Sequence, residues 1–269
     1  MRFALFVAML PFAAGALLPP AVTAEDLRAT TEFALTAPEL QAMTHSLPPE
    51  VRAGIMAAPR DFLHCVTKVL EEPAAFFILV DKSHPLAPDY EPGDLVNLKA
   101  YELRVLWGDV MLRKAIMPAV KELAAAAKKD GVALVFSSGY RSFGYQKYVY
   151  AREVKAYGQE MADRESARPG ASQHQLGTAV DFGSVSDAFA DTRAGRWLAA
   201  HAEEHGFSLS YPQGYEAITG YRYESWHYRF ITKSGTRLQK RYFGDIQQYM
   251  LEFLNANRET LEAKRRKNR

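Results

Sequence analysis

The segment TAVDFG, residues 178–183, sets one carboxylate inside an apolar run. Side-chain alternation puts Ala179 and Asp181 on one face of a strand, and Val180 and Phe182 on the other. An aspartate flanked in this way is at least partly buried, and a buried carboxylate needs a partner. Whatever the chain folds into must therefore carry other polar groups to this short strand. His174 stands seven residues upstream in SQHQLG, just after a Pro169–Gly170 loop, and Gly177 lets the backbone turn between the two.

The elements around that strand are predicted from periodicity and breakers. Residues 25–75 are patterned as amphipathic helices, with capping residues or prolines opening TAPELQAMTHSL and PPEVRAGIMAAPRDFLHCVTKVLEE. FFILV (76–80) reads as a buried strand, followed by a Pro- and Asp-rich irregular stretch to residue 98. Leu103, Leu106, Val110, Ile116, Val120, Leu123 and Ala127 recur at helical spacing. Pro118 would kink that helix or open a second one, and Gly131 ends it. VALVFSS, TAVDFG, FSLSYP and WHYRFI read as strands. Residues 139–158 read as a turn and then a helix, 162–173 as a polar loop, 193–206 as a helix and 236–269 as helical to near the end. Helices first and a small sheet later predict an α+β fold, with a small antiparallel sheet, flanking helices and extra helices at both termini.

A chain of 269 residues, 48% hydrophobic and 24% charged, can bury a normal core. Its net charge of +2 is too balanced to indicate nucleic acid as a partner. The lone Cys65 cannot form an internal disulfide and sits among apolar residues as a small core group. MRFALFVAMLPFAAGALLPPAVTA, residues 1–24, reads as a secretory signal cleaved after Ala24. Pro11, Pro19 and Pro20 interrupt its apolar stretch, so no stable membrane span is expected after cleavage, with an uncleaved anchor as the alternative. The chain is therefore expected to be exported, to a periplasm or beyond. KRRKNR (264–269) reads as a solvated basic tail. The oligomeric state stays open.

YRYESWHYRF (221–230) supplies a third group, with Glu224 and His227 three apart. Two histidines, an aspartate and a nearby glutamate fit a catalytic zinc site. Such a site takes three protein ligands and leaves the fourth position to water, and glutamate serves as general base. Each piece alone is weak, because a single histidine in a strand is more often a satisfied core or surface residue. The helical H-E-x-x-H arrangement is absent. His201 and His205 are four apart in HAEEH and read as a solvated helix face. Trp226 is expected to alternate against Glu224 and His227 along a strand. Tyr140, Tyr211, Tyr221 and Tyr223 are candidates for a cleft wall or for core.

The combination resembles a known family. SQHQLGTAVD followed by YESWH matches the S-x-H-x-x-G-x-A-x-D and E-x-W-H motifs of zinc D-alanyl-D-alanine carboxypeptidases of the VanY type, whose fold also includes the Hedgehog signalling domain. SSGYRS (137–142) and, more loosely, residues 79–98 extend the match over roughly residues 76–232. The resemblance implies that His174, Asp181 and His227 bind Zn2+ at the sheet, and that Glu224 is the catalytic base and later acid. It implies that Arg141 steadies the substrate carbonyl or pairs with its terminal carboxylate, a role suited to a permanently charged, bidentate guanidinium. Ser172 is a candidate substrate contact or a capping residue. Gln146, about one helical turn after Arg141, is a candidate contact to the same ligand or a solvent-facing residue. The implied reaction removes the terminal D-alanine from peptidoglycan stem peptides. An LD-carboxypeptidase, an L-Ala-D-Glu endopeptidase and a non-catalytic zinc-containing cell-wall-binding module are the alternatives. The implied organisation is a signal peptide (1–24), a helical extension (25–75), the catalytic domain (76–232), and a C-terminal helix with its basic tail (233–269).

Overall fold

Three helices that each open at a proline start the described chain: α1 (Ala37–Met43), α2 (Pro49–Ala57) and α3 (Pro59–Leu70). Proline suits the first helical turn because its missing N–H would have no partner there. Thr36 and Glu39 close a reciprocal capping box on α1. The structure, a computed structural model, describes residues 32–265. The expected signal segment 1–24 and most of the basic tail lie outside the described residues.

Next come β1 (Leu95–Asn97) and β2 (Met111–Arg113), which pair antiparallel, and then α4 (Met117–Lys129). The chain continues through β3 (Phe136–Ser138), α5 (Phe143–Tyr157), α6 (Gln159–Glu165), β4 (Ala179–Phe182) and α7 (Arg193–His201). It ends with β5 (Phe207–Leu209), α8 (Glu216–Thr219), β6 (His227–Phe230), α9 (Thr232–Tyr242) and α10 (Gln247–Lys264). The main sheet has the order β3-β4-β6-β5, antiparallel throughout. The α+β architecture with a small antiparallel sheet is the expected one. No helix of the described residues is long and apolar enough to cross a membrane.

Several elements differ from expectation. The helical spacing over 101–116 does not produce a helix. Leu106 N–H donates to the Phe136 carbonyl and Phe136 N–H to the Arg104 carbonyl, both at 2.8 Å, so the backbone pairs with β3 instead. The helix starts only at Met117, with Pro118 in its first turn. FFILV is not a strand either. Its side chains at Phe76, Phe77, Leu79 and Val80 are buried, but the carbonyls of Phe76 and Ile78 accept from the guanidinium of Arg229, at 3.2 and 2.7 Å. Arg229 is fully buried and has no partner at Nε or Nη1, and burial pushes it down to about 10. Part of the expected loop 162–173 is helix α6, and Gln173–Leu176 forms a 3-10 turn. The long C-terminal helix is two helices, broken where Gly244 and Asp245 take positive φ.

One hydrophobic core runs from Phe33 to Leu261 and includes Cys65. Phe62 of α3 meets Tyr242, Phe243 and Phe253 at ring-centroid distances of 5.2, 6.1 and 5.5 Å. Burying one such ring contributes about 1.5–3 kcal/mol. Ala34 N–H donates to the Lys264 carbonyl at 2.8 Å, and Lys264 pairs with Glu39 at 2.7 Å. Helices α1 and α10, near the two ends of the described residues, thus pack on each other.

Candidate active site

Antiparallel pairing sets Asp181 of β4 opposite His227, the first residue of β6, and beside Ser138 of β3. His174 arrives from the 3-10 turn Gln173–Leu176. Ser172 caps that turn by accepting from the His174 N–H at 3.3 Å, and Gly177 ends it with φ 67°. A side chain at 177 would also press on Arg113 and Leu95. The His174 Nε2 lies 3.2 Å from Asp181 Oδ2, and the His227 Nδ1 lies 3.0 Å from Asp181 Oδ1. All three side chains are buried, and their donor atoms lie within 4.8 Å of one another.

The other ring nitrogens are also accounted for. His174 Nδ1 is 2.7 Å from the Gly139 carbonyl, which can only accept, so Nδ1 holds the hydrogen and Nε2 is free to ligate. His227 Nε2 faces the Gln173 Oε1 at 3.3 Å, which leaves Nδ1 as its ligating atom. Burial lowers the His174 pKa and favours its neutral, ligating form. Burial opposes the charge on Asp181, but its contacts to His174 and His227 outweigh that and hold the carboxyl well below its ordinary value. Two neutral imidazoles and one carboxylate, with the remaining ring N–H groups oriented by acceptors, are a donor set that fits zinc.

Glu224 does not lie on a strand with His227. His227 N–H donates to the Glu224 carbonyl at 3.2 Å, so residues 224–227 form a turn, and the turn carries the Glu224 carboxylate to within 3.7 Å of His227 Nδ1. Burial pushes Glu224 up to about 7, with Asp181 adding to the shift and His227, Arg222 and Arg141 opposing it. Arg141 follows β3. Its guanidinium donates to Gln146 Oε1 at 2.9 Å and to Ser138 Oγ at 3.2 Å. No carboxylate pairs with it among the described residues, so its charge remains available to a ligand.

A cleft of about 750 Å³ joins these groups; His174, Asp181, His227, Glu224, Arg141 and Ser172 all line it. Gln146 does not. It is buried behind Arg141, with its amide nitrogen donating to the Ala167 carbonyl at 2.6 Å, so both ends of its amide are used within the protein. The candidate contact to ligand is thereby corrected to a support for Arg141, and its solvent-facing alternative also fails. Tyr140, Tyr211 and Tyr221 line the cleft, while Tyr223 does not. His205 is not on a solvated face: it is buried and lies 3.2 Å from Glu122. Sequence reasoning missed Gly139, Gln173 and Ser138, whose roles arise from tertiary pairing and have no local signature.

Residues 109–233 match the profile of the family VanY, D-alanyl-D-alanine carboxypeptidase. The structure of the LdcB LD-carboxypeptidase is 33% identical, with a TM-score of 0.58 over 66% of this chain and 85% of that one. The vancomycin-resistance D,D-pentapeptidase VanY of the VanB-type cassette, a glutamate-to-alanine mutant in complex with Zn(II), is 31% identical. It has a TM-score of 0.53 over 67% of this chain and 99% of that one. The chain belongs to the VanY family. YodJ, a carboxypeptidase-type protein of Bacillus subtilis (strain 168), is 35% identical over 180 residues, which are 64% of this chain and 65% of YodJ. The chain spans 56–65% of the length of YodJ and of two enterococcal D-alanyl-D-alanine carboxypeptidases. The family match ends before α10, so the C-terminal helix lies outside it.

Proposed function

We propose that this protein is an exported zinc-dependent carboxypeptidase that removes the terminal D-alanine from peptidoglycan stem peptides ending in D-Ala-D-Ala. The observation that carries the reading is the convergence of His174, Asp181, His227, Glu224 and Arg141 on one cleft. Family membership supports it, as does a VanY relative, 30% identical, solved in complex with D-alanine-D-alanine. The apolar N-terminal sequence supports export to the periplasm or the medium, where this substrate lies.

His174, Asp181 and His227 would hold the zinc. When bound, it supplies Lewis acidity that activates water and polarises the scissile carbonyl. Glu224, next to His227 and largely shielded from solvent, takes the proton of the attacking water. It returns that proton to the amine of the departing D-alanine as the C–N bond breaks. Arg141, held by Gln146 and Ser138, presents its remaining N–H groups to the substrate carboxylate or to the carbonyl oxygen as negative charge builds there. The Ser172 hydroxyl lines the same cleft and can donate to the substrate while accepting from its own turn.

The test uses zinc-loaded wild type and Glu224→Ala, each with a defined pentapeptide stem followed by mass spectrometry. Wild type is expected to release one D-alanine. Glu224→Ala is expected to retain zinc and lose about 10²–10⁴-fold in kcat. Bound zinc with no release by either protein would sink the substrate assignment. The similarity to LdcB favours a second reading, an LD-carboxypeptidase. Release of D-alanine from the tetrapeptide stem, and not from the pentapeptide, would establish that instead.

A further inference from the structure

His174 is oriented by a backbone carbonyl, whereas His227 is oriented by side chains, and these lead to the C-terminal helix. His227 Nε2 faces Gln173 Oε1 at 3.3 Å. That oxygen also accepts from Ser210 Oγ at 2.7 Å, while the Gln173 amide nitrogen donates to Gln247 Oε1 at 3.3 Å. Gln247 is the first residue of α10. Its own amide nitrogen donates to the Ser208 carbonyl at 3.5 Å, and Ser210 Oγ lies 3.4 Å from its oxygen. Gln173, Ser208, Ser210 and Gln247 are each at most 3% exposed. Water therefore cannot readily replace a lost partner, and an unpaired group would carry a full desolvation penalty.

The direction of this chain follows from which groups can only accept. The Ser208 carbonyl belongs to the backbone and cannot flip. It fixes the Gln247 amide with nitrogen toward residue 208 and oxygen toward Gln173. The Gln247 oxygen in turn fixes the Gln173 amide with nitrogen toward α10 and oxygen toward His227. Asp181 Oδ1, 3.0 Å from Nδ1, competes as a second acceptor for the ring, so the Gln173 oxygen at Nε2 is what draws the hydrogen there and frees Nδ1 for a cation. With the last link broken, Gln173 is free to turn its NH2 toward the ring. That would favour hydrogen on Nδ1, where it blocks ligation.

We propose that Gln247 is a positioning residue for the metal site, setting the His227 tautomer through Gln173, so that α10 serves as part of the active site. The proposal rests on the zinc reading above and is tested on the full chain. Zinc affinity is measured by competition with a chromophoric chelator for wild type, Gln247→Met and Leu251→Ala. The ring nitrogens of His227 are assigned by 15N NMR in the metal-free proteins. Leu251 is a fully buried core residue of the same helix, and its aliphatic side chain has no polar atom to join the relay.

Gln247→Met is expected to bind zinc about 10–100-fold more weakly, the usual effect of removing an orienting partner, and to lose the Nε2–H signature of His227. Leu251→Ala is expected to lower Tm while keeping both zinc affinity and the signature. Wild-type zinc affinity in Gln247→Met overturns the proposal. So does a loss of affinity with the His227 signature unchanged, or an equal loss in Leu251→Ala. If Gln247→Met does not fold, Gln247→Ala carries the same comparison. A wild-type protein that takes up no zinc but shows the tautomer shift between variants overturns the zinc reading and leaves the relay standing.

Discussion

The two histidines of the site are held in different ways. His174 gives its Nδ1 hydrogen to the Gly139 carbonyl, a group belonging to the loop that leaves β3. His227 turns its Nε2 to the oxygen of Gln173, which is held in turn by a residue 74 positions away. The first arrangement exists wherever the backbone is folded correctly. The second depends on three side chains from separate parts of the chain. Half of the site is therefore as robust as the sheet, and half can be altered by changing single side chains.

The largest effect is expected where the two halves meet. Asp181 touches both histidines, so Asp181→Ala removes a ligand and the charge that both rings face. Zinc affinity should fall at least about a thousandfold, beyond the 10–100-fold of an orienting partner. Dialysis followed by metal analysis should find the protein zinc-free. Retention of stoichiometric zinc would mean that the ion sits elsewhere.

Gly139→Ala probes the backbone-held half. A Cβ at 139 would collide with the Met111 carbonyl oxygen and crowd Val110 and Leu112. The loop would have to shift, at a cost of about 1–3 kcal/mol for overpacking, and the carbonyl under His174 would shift with it. Stability and zinc affinity should therefore fall together while His227 keeps its Nε2–H signature, in contrast to Gln247→Met, which loses that signature as well as some stability. Assignment of the His227 ring nitrogens by 15N NMR in the metal-free variants separates the two cases. A Gly139→Ala protein that also loses the His227 signature would remove the distinction between the halves.

This difference also explains what the sequence could reveal. Asp181 was legible because a carboxylate inside TAVDFG is anomalous in itself, and His174, Glu224 and His227 because their spacings form a recognisable pattern. The α+β order was legible from the sequence of periodicities. Gln146 and Gln247 carried no such anomaly, since a glutamine on a helix reads as surface until something is known to sit behind it. FFILV departs from its strand pattern for a related reason. Its apolar side chains do belong in the core, but periodicity cannot show that a buried arginine on β6 would take the carbonyls another strand should have taken. Helical spacing over 101–116 failed the same way, with β3 capturing the backbone of residues 104–106.

The smallest effect is expected at the far end of the same polar chain. Ser208 Oγ donates to Gln239 Oε1 at 2.8 Å, and the Gln239 amide donates to Asp245 Oδ1 at 2.9 Å and to its carbonyl at 3.0 Å. Asp245 sits in the exposed turn between α9 and α10, but its carboxylate points inward to buried Gln239. Desolvation and the neighbouring Glu203 carboxylate, opposed by Gln239 and Lys240, push it up to about 7 from an ordinary 3.8. Between pH 4 and 7 the folded carboxyl keeps a proton that the unfolded one has released. Stability from this group therefore falls as pH rises through that window and stays reduced above it. Asp245→Asn cannot ionise, and its amide can still accept from Gln239 while donating to Glu203. The substitution should leave stability near wild type at pH 4 and raise it by about 0.5–1 kcal/mol at pH 8, a modest gain because solvent screens an exposed turn. Calorimetry at the two pH values checks the sign, and an equal Tm difference at both would refute the raised pKa. Zinc affinity should not change, because the Ser208 backbone carbonyl insulates Gln247 from whatever happens at residue 245. A loss of affinity in Asp245→Asn would extend the side-chain-held half of the site to the α9–α10 turn.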